Sequence, residues 1–482
     1  MSARSIDATI NDFFEPIAHR ANEIVFYSVH LGEGADLKLI LAWLVAAGVF
    51  FTFYLSFINV RYFKHAVSVV LRKEKETAHE DGQISSFQAL MAVLSGTVGL
   101  GNIGGVAIAV SLGGPGAVFW MIMMGFLGMS SKFAETMLGV KYRVHPDPER
   151  PEEISGGPMY YLRQAFDRMD LHYAGVFFAA MFALFCIGAS VSGGNMFQIN
   201  QSYRQFVDVT GGEASFLNEY GWGFGLCVAV LVGLVIFGGI KSIASVAARL
   251  VPLMAVIYVT AGLIVILMNA PQLPGALYDI VTQAFTPAAG YGGFIGVLLV
   301  GAQRAFFSNE AGLGSAPIVH ATVKTNSPVA QGMVGMLGPF IDTIVICTVT
   351  ALVIVVTGAY HQSEGMEGVE LTSRAFESTI PGFKYVLAVA VFLFAFSTVI
   401  TWFYYGMKCL TYLFGQKSSV EMAFKIFFCL CVVVGASSDI SHVVDFTDAM
   451  FFALAIPNVI GLYIFAPEIK RDVQEYIQRL QK

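Results

Sequence analysis

Residues 95–103 read Ser-Gly-Thr-Val-Gly-Leu-Gly-Asn-Ile, and residues 308–316 read Ser-Asn-Glu-Ala-Gly-Leu-Gly-Ser-Ala. Both stretches lie inside apolar segments, and each contains the triplet Gly-Leu-Gly. Glycine weakens a helix by roughly 1 kcal/mol relative to alanine, and backbone N–H and C=O groups inside a bilayer must find partners. The two stretches therefore predict membrane helices that unwind midway and offer their peptide groups to a ligand.

The composition is that of a polytopic membrane protein. Of the 482 residues, 56% are apolar and 13% are charged, and the mean hydropathy is +0.67. Soluble domains carry roughly 25% charged residues, so soluble, disordered and disulfide-stapled classes are excluded. The six cysteines lie in apolar segments without metal-ligand spacing, which predicts small buried side chains. The net charge of −6 argues against a nucleic-acid partner.

Apolar runs along the chain predict an all-α fold of about 11 transmembrane helices. Their approximate bounds are 38–61, 87–112, 115–140, 174–200, 220–240, 248–269, 293–320, 331–357, 384–412, 422–438 and 443–466. Lys and Arg number 20 in one set of alternate loops and six in the other. The positive-inside rule then places the N-terminus outside and the C-terminus in the cytoplasm. The predicted location is the inner cell membrane.

The glycine stretches divide the chain into two sets of five spans, 87–269 and 293–466. The charge distribution makes span 87–112 start inside and span 293–320 start outside, so the sets run in opposite directions. Inverted repeats led by interrupted helices are typical of secondary transporters. Residues 1–37 are then an extracytoplasmic segment with a surface helix within 5–30, 38–62 an additional first helix, and 467–482 a cytoplasmic tail.

Polar groups near the interruptions are candidates for ligand binding. The half-helix that starts near Gly101 would offer N–H groups and a positive dipole end to a carboxylate. The Ser95 and Val98 carbonyls, together with hydroxyls at Ser397 and Thr398, could hold a sodium ion. Two structural alternatives compete with this hypothesis: glycines that only allow close helix packing, and hydroxyls that only bond to the preceding turn.

Other polar side chains within the spans leave several roles open. Lys132 and Glu135 stand three residues apart, which predicts a structural ion pair. Arg304 is a candidate for helix tethering, a gate or substrate binding. Glu310 and Asp342 are candidates for contact with a cation or a substrate ammonium group. Residues that would line the pathway or wall a small pocket are Asn195, Gln198 and Trp402.

Two longer stretches resemble a known family. Residues 96–107 (Gly-Thr-Val-Gly-Leu-Gly-Asn-Ile-Gly-Gly-Val-Ala) and 307–317 (Phe-Ser-Asn-Glu-Ala-Gly-Leu-Gly-Ser-Ala-Pro) are similar to the alanine or glycine:cation symporters, also called sodium:alanine symporters. Residues 132–135 and 156–161 add to a resemblance that covers most of 38–466. It implies a LeuT-like fold of ten core helices after one additional helix. It also implies import of small neutral amino acids with Na⁺ by alternating access.

The resemblance also implies roles for individual residues. The substrate-binding residues would be Thr97, Gly99, Gly101, Asn102, Asn309, Gly312, Gly314 and Trp402. The Na⁺ ligands would be Ser95, Val98, Ser397 and Thr398. Na⁺ would serve as coupling ion, with no other cofactor and no obligate protein partner.

Alternatives to sodium symport come from several classes. A proton-coupled amino-acid symporter, or a LeuT-like transporter of another small solute, is the nearest. A channel is disfavoured because the chain carries its own inverted pair. An enzyme is disfavoured because the sequence has no nucleophile–base pair, metalloprotease motif or clustered carboxylates. The choice among alanine, glycine and D-alanine, and the ion stoichiometry, do not follow from the sequence.

Overall fold

A computed structural model describes residues 15–16, 19–30, 36–71, 81–285, 293–362, 368–437 and 441–481. The chain is predominantly helical. Strands β1 (Ser28–His30) and β2 (Asp36–Lys38) pair antiparallel just before the first long helix. Most of the surface helix predicted within 5–30 lies outside the described residues, but residues 19–25 are helical.

The first part of the chain forms the helices before residue 286. They are α1 (Leu39–Tyr54), α2 (Ile58–Arg61), α3 (Phe63–Leu71), α4 (Ser86–Thr97), α5 (Val106–Gly113), α6 (Gly116–Lys141), α7 (Pro158–Asp167), α8 (His172–Val191), α9 (Phe197–Val209), α10 (Gly221–Ile236), α11 (Gly239–Met268) and α12 (Leu273–Gln283). Two π-helical segments, Gly101–Gly105 and Ser192–Met196, join α5 and α9 to the residues before them. Short 3₁₀ turns are Gly212–Ala214, Phe216–Glu219 and Ala270–Gln272.

The second part repeats this pattern of long apolar helices. Its helices are α13 (Gly293–Asn309), α14 (Ala316–His320), α15 (Pro328–Gly335), α16 (Leu337–Pro339), α17 (Thr348–Thr357), α18 (Val369–Glu377), α19 (Phe383–Phe414), α20 (Ser418–Ser437), α21 (Ser441–Ala453) and α22 (Ala455–Leu480). A third π-helical segment, Phe340–Cys347, connects α16 to α17. A 3₁₀ turn lies at Ala359–Gln362.

Length and hydropathy identify the membrane-spanning helices among the described residues. Seven helices are long and apolar enough to cross a bilayer, and α4 with Gly101–Gly113 forms a bent pair that passes the same test. Three shorter apolar helices are Leu39–Tyr54, Gly221–Ile236 and Phe294–Asn309. Every predicted apolar run overlaps one of these helices. The protein is a helical polytopic membrane protein, while 11 crossings and the sidedness stay predictions.

Several predicted helix ends are wrong. The first span ends at Tyr54 instead of residue 61, because Ser56 and Phe57 adopt positive φ angles of 54° and 55°, which a right-handed helix does not accommodate. Helix α11 starts at 239, nine residues before the predicted 248. Residues 467–480, predicted as a tail, continue the last helix to Leu480. Hydropathy marks the part of a helix that lies in lipid, so it misses charged extensions beyond it.

The cysteine prediction also needs a correction. Cys186, Cys347, Cys409 and Cys431 are buried, as expected of small apolar side chains, but Cys227 on α10 is exposed and Cys429 is half-buried. Helix α10 packs along α20 and presents its other face outward. An apolar segment therefore does not distinguish a side chain that faces lipid from one that faces protein.

Helices α6 and α19 form the centre of the molecule. Helix α6 packs against α1, α13 and α15, and α19 packs against α4, α8, α9 and α11. Helix α6 lies along the second interrupted helix, because it packs on α13 and α14, and α19 lies along the first, because it packs on α4. The polar side chains that they carry are therefore buried next to those interruptions.

The chain before α4 and the chain after α14 meet at one end of the molecule. Ile84 pairs with Val323 in a parallel bridge, in which Gln83 N–H donates to the Thr322 carbonyl at 2.7 Å and Lys324 N–H donates to the Ile84 carbonyl at 2.9 Å. The Arg143 guanidinium closes over this bridge. It donates to the carbonyls of Asp81, Ala321, Val323 and Thr325.

Candidate functional site

The first interruption, called here the first break, is residues 98–100. Helix α4 ends at Thr97, and Val98 is extended with φ −75° and ψ 95°. The helix resumes as a π-helical turn at Gly101, and the two pieces meet at an angle of 57°. The unwinding predicted from the first glycine stretch is confirmed. It leaves peptide groups without helical partners in the middle of the protein.

The second break is residues 310–315, between α13 and α14. Glu310, Gly312 and Gly314 have φ angles of 54°, 82° and 84°. Glycine adopts such left-handed conformations without steric cost, so the second Gly-Leu-Gly triplet builds the turn that ends α13. A Cβ placed on Gly101 would lie 3.4 Å from the Ser308 Cα. The last turn of α13, just before the second break, therefore sits directly against the residue that follows the first break.

Hydroxyl groups of α19 converge on the last turn of α4. The Thr398 hydroxyl donates to the Ser95 carbonyl at 3.1 Å, and the Ser397 hydroxyl donates to the same carbonyl at 3.4 Å. The Ser95 hydroxyl donates to the Ser397 carbonyl at 2.7 Å, and Thr401 donates to the Ser95 hydroxyl at 3.1 Å. These carbonyl and hydroxyl oxygens are buried and uncharged. Together they are a suitable set of ligands for a hard monovalent cation.

The side-chain amide of Asn102 forms hydrogen bonds at the first break. Gly99 N–H donates to Oδ1 of Asn102 at 2.8 Å, and Asn102 Nδ2 donates in turn to Oδ1 of Asp342 at 2.6 Å. A Cβ on Gly99 would lie 2.9 Å from Oγ1 of Thr398 and 3.5 Å from Oε1 of Gln198. Glycine at position 99 therefore lets α19 and α9 approach the exposed backbone.

Three buried polar atoms beside the first break have no hydrogen-bond partner among the described residues. They are Oε1 of Gln198, Nε1 of Trp402 and the hydroxyl of Tyr405. Gln198 approaches Gly99, and a Cβ on Gly96 would lie 3.4 Å from the Tyr405 hydroxyl. Buried polar atoms are normally paired. Unpaired atoms clustered at an unwound helix fit a site for a polar ligand.

Aromatic rings close one side of the first break. The Trp402 ring lies 4.5 Å from that of Phe451, which stacks on Phe307 at 5.2 Å. Trp402 is wholly buried, and a Cβ on Gly194 would collide with it at 2.3 Å. These rings pack against a helix backbone and form a rigid wall beside the first break.

A buried polar network supports the second break from behind. Lys132 and Glu135 form the predicted ion pair at 3.1 Å, with both side chains fully buried. Lys132 donates to the Glu310 carbonyl at 2.9 Å, and Glu135 accepts from the backbone N–H of Gly314 at 3.1 Å. Asn458 bridges Glu135 and the Gly312 carbonyl. The pair thus stabilises unwound backbone.

The sequence also matches the sodium:alanine symporter family over residues 27–482. The chain belongs to the sodium:alanine symporter family. Among its relatives is a sodium/alanine symporter, AgcS, of Methanococcus maripaludis, 38% identical over 90% of this chain and 93% of the relative. A probable sodium/glutamine symporter, GlnT, of Bacillus subtilis is 34% identical over 92% of this chain and 88% of the relative. As a family member the protein is a transporter and not an enzyme.

The fold has a relative among solved structures. The crystal structure of MhsT in complex with L-phenylalanine superposes with a TM-score of 0.55 at 16% identity, over 80% of this chain and 88% of that one. At this identity the match shows a shared fold, which is LeuT-like.

Some of the residues implied by the family resemblance come together in this symporter and others do not. Ser95, Ser397 and Thr398 converge on the last turn of α4, next to Gly99 and Asn102. Trp402 lies on the same face of α19 and packs against Gly194. Three residues do not join this group. The Thr97 hydroxyl bonds to the Leu94 carbonyl of its own helix. Gly312 lies next to Leu44, and Gly314 lies next to Asn458.

Several residues at the site were not among the sequence-based candidates. They include Phe307, Thr343, Tyr405, Phe451 and Asn458. Asn458 and Thr343 are polar residues in apolar runs, which is a signal that could have identified them. Tyr405 and Phe451 are aromatic residues among many others, and only their packing on Trp402 distinguishes them. Arg304 lies beside Gly105, the last residue of the π-helical segment that follows the first break. Asn195 bonds to the Phe428 carbonyl on α20.

Proposed function

We propose that this protein imports small neutral amino acids, with alanine and glycine first among them, together with Na⁺ across the inner cell membrane. Its family and its relative AgcS, a sodium/alanine symporter, support sodium-coupled transport of an amino acid. The observation that carries the proposal is the first break, with unwound backbone, unpaired polar atoms and a hydroxyl cluster within one buried region.

The substrate carboxylate belongs at the first break. The π-helical turn at Gly101 begins a half-helix whose N–H groups and dipole favour an anion. The N–H of Gly99 donates to Oδ1 of Asn102. A bound carboxylate would replace this amide oxygen as the acceptor. The side chain would then meet Trp402, Phe451 and Phe307. This wall favours a methyl group or a hydrogen over a large side chain.

The coupling ion belongs at the hydroxyl cluster. The proposed ligands are the carbonyls of Ser95 and Val98 and the hydroxyls of Ser397 and Thr398. None of these groups can take up a proton near neutral pH. The set therefore favours Na⁺ over H⁺ as the ion bound at this position.

Substrate and ion share the same unwound backbone, which explains how their binding is coupled. Ser95 and Val98 precede the residues that would hold the carboxylate. A cation that orders this backbone raises affinity for the amino acid, and linkage requires the reverse effect to be equal. Because Thr97 and Asn102 are buried, access from either side requires the helices to move, as in alternating access.

Uptake into proteoliposomes tests the proposal. Purified protein is reconstituted, and entry of labelled L-alanine, D-alanine, glycine, serine and glutamine is measured with an inward gradient of sodium or choline. We expect concentrative uptake of alanine and glycine in sodium alone. Uptake that follows a pH gradient, or is equal in sodium and choline, contradicts sodium coupling. Preference for glutamine contradicts the size limit set by Trp402.

A further inference from the structure

A cavity lies between the end of the first long helix and the extension of the last helix. Its volume is about 390 Å³, and it is enclosed by the end of α1, the end of α2 and the C-terminal part of α22. The lining residues are Tyr54, Leu55, Ser56, Arg61, Lys470, Val473, Gln474, Ile477 and Gln478. Among these described residues two are basic and none is acidic, so the cavity attracts an anion.

A left-handed turn brings Arg61 into this cavity. Helix α1 ends at Tyr54, and Ser56 and Phe57 follow with φ angles of 54° and 55°. Such angles are uncommon for residues other than glycine, and they persist where the surrounding structure holds them, often at ligand sites. Helix α2 begins directly after the turn, at Ile58, and Arg61 is its last residue. The turn therefore determines where the Arg61 side chain lies.

The cavity is lined by one face of the α22 extension. The five lining residues of this helix follow the i, i+3, i+4, i+7, i+8 pattern of a single face. The acidic residues of the extension are engaged elsewhere. Glu468 and Asp472 both form ion pairs with Lys141, and Glu475 forms one with Arg471. These carboxylates therefore do not neutralise the basic side chains of the cavity.

Neither basic side chain of the cavity has a carboxylate at ion-pair distance in the part of the chain that the structure describes. The Arg61 guanidinium lies 5.7 Å from the ring centroid of Tyr62, and Nζ of Lys470 lies 4.4 Å from that of Tyr54. An aromatic face attracts a cation, but it carries no net charge. Both positive charges therefore remain available to an anionic ligand.

An exposed apolar strip of α1 and α2 leads to the cavity. The exposed fractions of Phe53, Phe57 and Val60 are 63%, 38% and 57%, and the Phe53 and Phe57 rings meet edge to face at 5.0 Å. Exposed apolar side chains of a membrane helix face the acyl chains of lipid, and basic side chains near a helix end reach the headgroup level. The cavity and the strip together offer both surfaces that a phospholipid contacts.

We propose that Arg61 and Lys470 bind the phosphate group of an anionic phospholipid in this cavity. The Ser56 hydroxyl and the side-chain amides of Gln474 and Gln478 bind the polar group beyond the phosphate. The acyl chains lie along the exposed strip of α1 and α2. This proposal is independent of the substrate and the coupling ion.

A lipid suits this surface better than a free phosphate ion. Phe53 and Phe57 directly flank the lining residues Tyr54, Leu55 and Ser56 in the chain. A free ion would occupy only the charged part of this surface, whereas a phospholipid covers the charged and the apolar part together. Basic clusters next to a membrane helix attract anionic lipids in the same way.

A lipid bound here would join the first helix to the last. Helices α1 and α22 pack on each other, and both pack on α6. The His65 ring on α3 bonds to the Tyr476 hydroxyl on α22 at 3.0 Å. A headgroup held by both Arg61 and Lys470 adds a second link between these parts of the chain. We therefore expect the lipid to raise the stability of the protein.

Binding of phosphatidylglycerol to the purified protein tests the proposal. Protein in detergent is titrated with phosphatidylglycerol, phosphatidylethanolamine or inorganic phosphate, and the thermal unfolding midpoint is followed by tryptophan fluorescence. The double variant Arg61→Gln with Lys470→Gln is compared with Lys64→Gln with Arg479→Gln. This control removes the same charge from nearby positions that do not line the cavity.

We expect phosphatidylglycerol to raise the unfolding midpoint of the natural protein and of the control. Its affinity should be about thirtyfold lower in the double variant, which lacks both cations. Equal affinity in the double variant and the natural protein overturns the proposal. An equal loss in the control also overturns it, because net charge would then explain binding. Equal stabilisation by inorganic phosphate overturns a lipid as the occupant, and equal stabilisation by phosphatidylethanolamine overturns the preference for an anionic lipid.

A single substitution decides the matter if the double variant is not recovered. Gln474→Glu places a carboxylate at an exposed position of the cavity, where it repels the phosphate group. We expect the affinity for phosphatidylglycerol to fall about fivefold, the effect of one charge near the membrane surface. Gln481→Glu, at an exposed position outside the cavity, is the control and should leave the affinity unchanged. Unchanged affinity in Gln474→Glu overturns the proposal.

Discussion

At the scale of single residues, the Thr398 hydroxyl of α19 has two backbone carbonyls within hydrogen-bond distance. Thr398 donates to the Phe394 carbonyl of its own helix at 3.0 Å and to the Ser95 carbonyl at 3.1 Å. From the sequence alone, such a hydroxyl is either a cation ligand or a group that only bonds to the preceding turn. The structure places both acceptors within reach of one hydroxyl, so the local bond orients Thr398 towards α4.

Replacing Thr398 by alanine should weaken sodium dependence without unfolding the protein. The variant loses one proposed oxygen ligand, and we expect the sodium concentration for half-maximal uptake to rise about tenfold, equivalent to about 1.4 kcal/mol. Uptake of labelled alanine against sodium concentration measures the change. Thr411→Ala on the same helix is the control, since its hydroxyl bonds to the Lys408 carbonyl. Equal sodium curves for the two variants would refute the assigned role.

The buried pair of Lys132 and Glu135 should be a stability determinant. Lys132→Ala leaves Glu135 charged and unpaired in the protein interior, which costs about 3–5 kcal/mol. We expect a large fall in the thermal unfolding midpoint in detergent, measured by tryptophan fluorescence. The double variant Lys132→Met with Glu135→Gln should be more stable than Lys132→Ala, because no lone charge remains. A double variant that is as unstable as the sum of its parts would contradict this pairing.

At the scale of elements, the two broken helices could be predicted from the sequence because glycine has a direct backbone effect. Gly312 and Gly314 adopt the positive φ angles that the second break requires. The partners of that break could not be predicted, because Asn458 lies more than a hundred residues away on α22 and reaches Gly312 only through folding. The orientation of Gly312 and Gly314 away from the first break depends on the same tertiary contacts.

A single methyl group at the second break should disturb its turn. Gly312→Ala places a side chain at φ 82°, where its Cβ would lie 2.7 Å from Leu44, and left-handed backbone costs about 1–2 kcal/mol for a non-glycine residue. We expect a lower unfolding midpoint and reduced alanine uptake. Gly338→Ala is the matched control, because no heavy atom lies within 4 Å of its added Cβ. A similar loss in both variants would show that the turn itself is not the cause.

At the scale of the whole molecule, the start of the first broken helix lies beside the end of the second. The bridge between Ile84 and Val323 places the start of α4 beside the chain that leaves α14. Such an arrangement is what oppositely directed leading helices would produce. The division into two sets of five helices, and the side of the membrane that each end faces, are still predictions from charge and pattern.

Reporter fusions test the predicted sidedness. A fluorescent protein attached after Lys482 should fold and fluoresce, and alkaline phosphatase at the same position should be inactive, because the positive-inside rule places this end in the cytoplasm. Phosphatase inserted in the predicted external loop near residue 290 should be active. The reversed pattern of activity would overturn the orientation. It would leave the fold unaffected, since the helix packing does not depend on which side is which.

The Arg143 side chain has a mechanical consequence. Its guanidinium holds Asp81, which precedes α4, and also residues 321–325, which follow α14. A solute leaving through this end must part both strands of the bridge and detach one permanent charge from four oxygen atoms in a single event. Loss of only some of the Arg143 hydrogen bonds does not separate the two segments, because each remaining bond still joins them. These four hydrogen bonds therefore hold the start of α4 and the chain that follows α14 together, and they oppose leakage of ions between transport cycles.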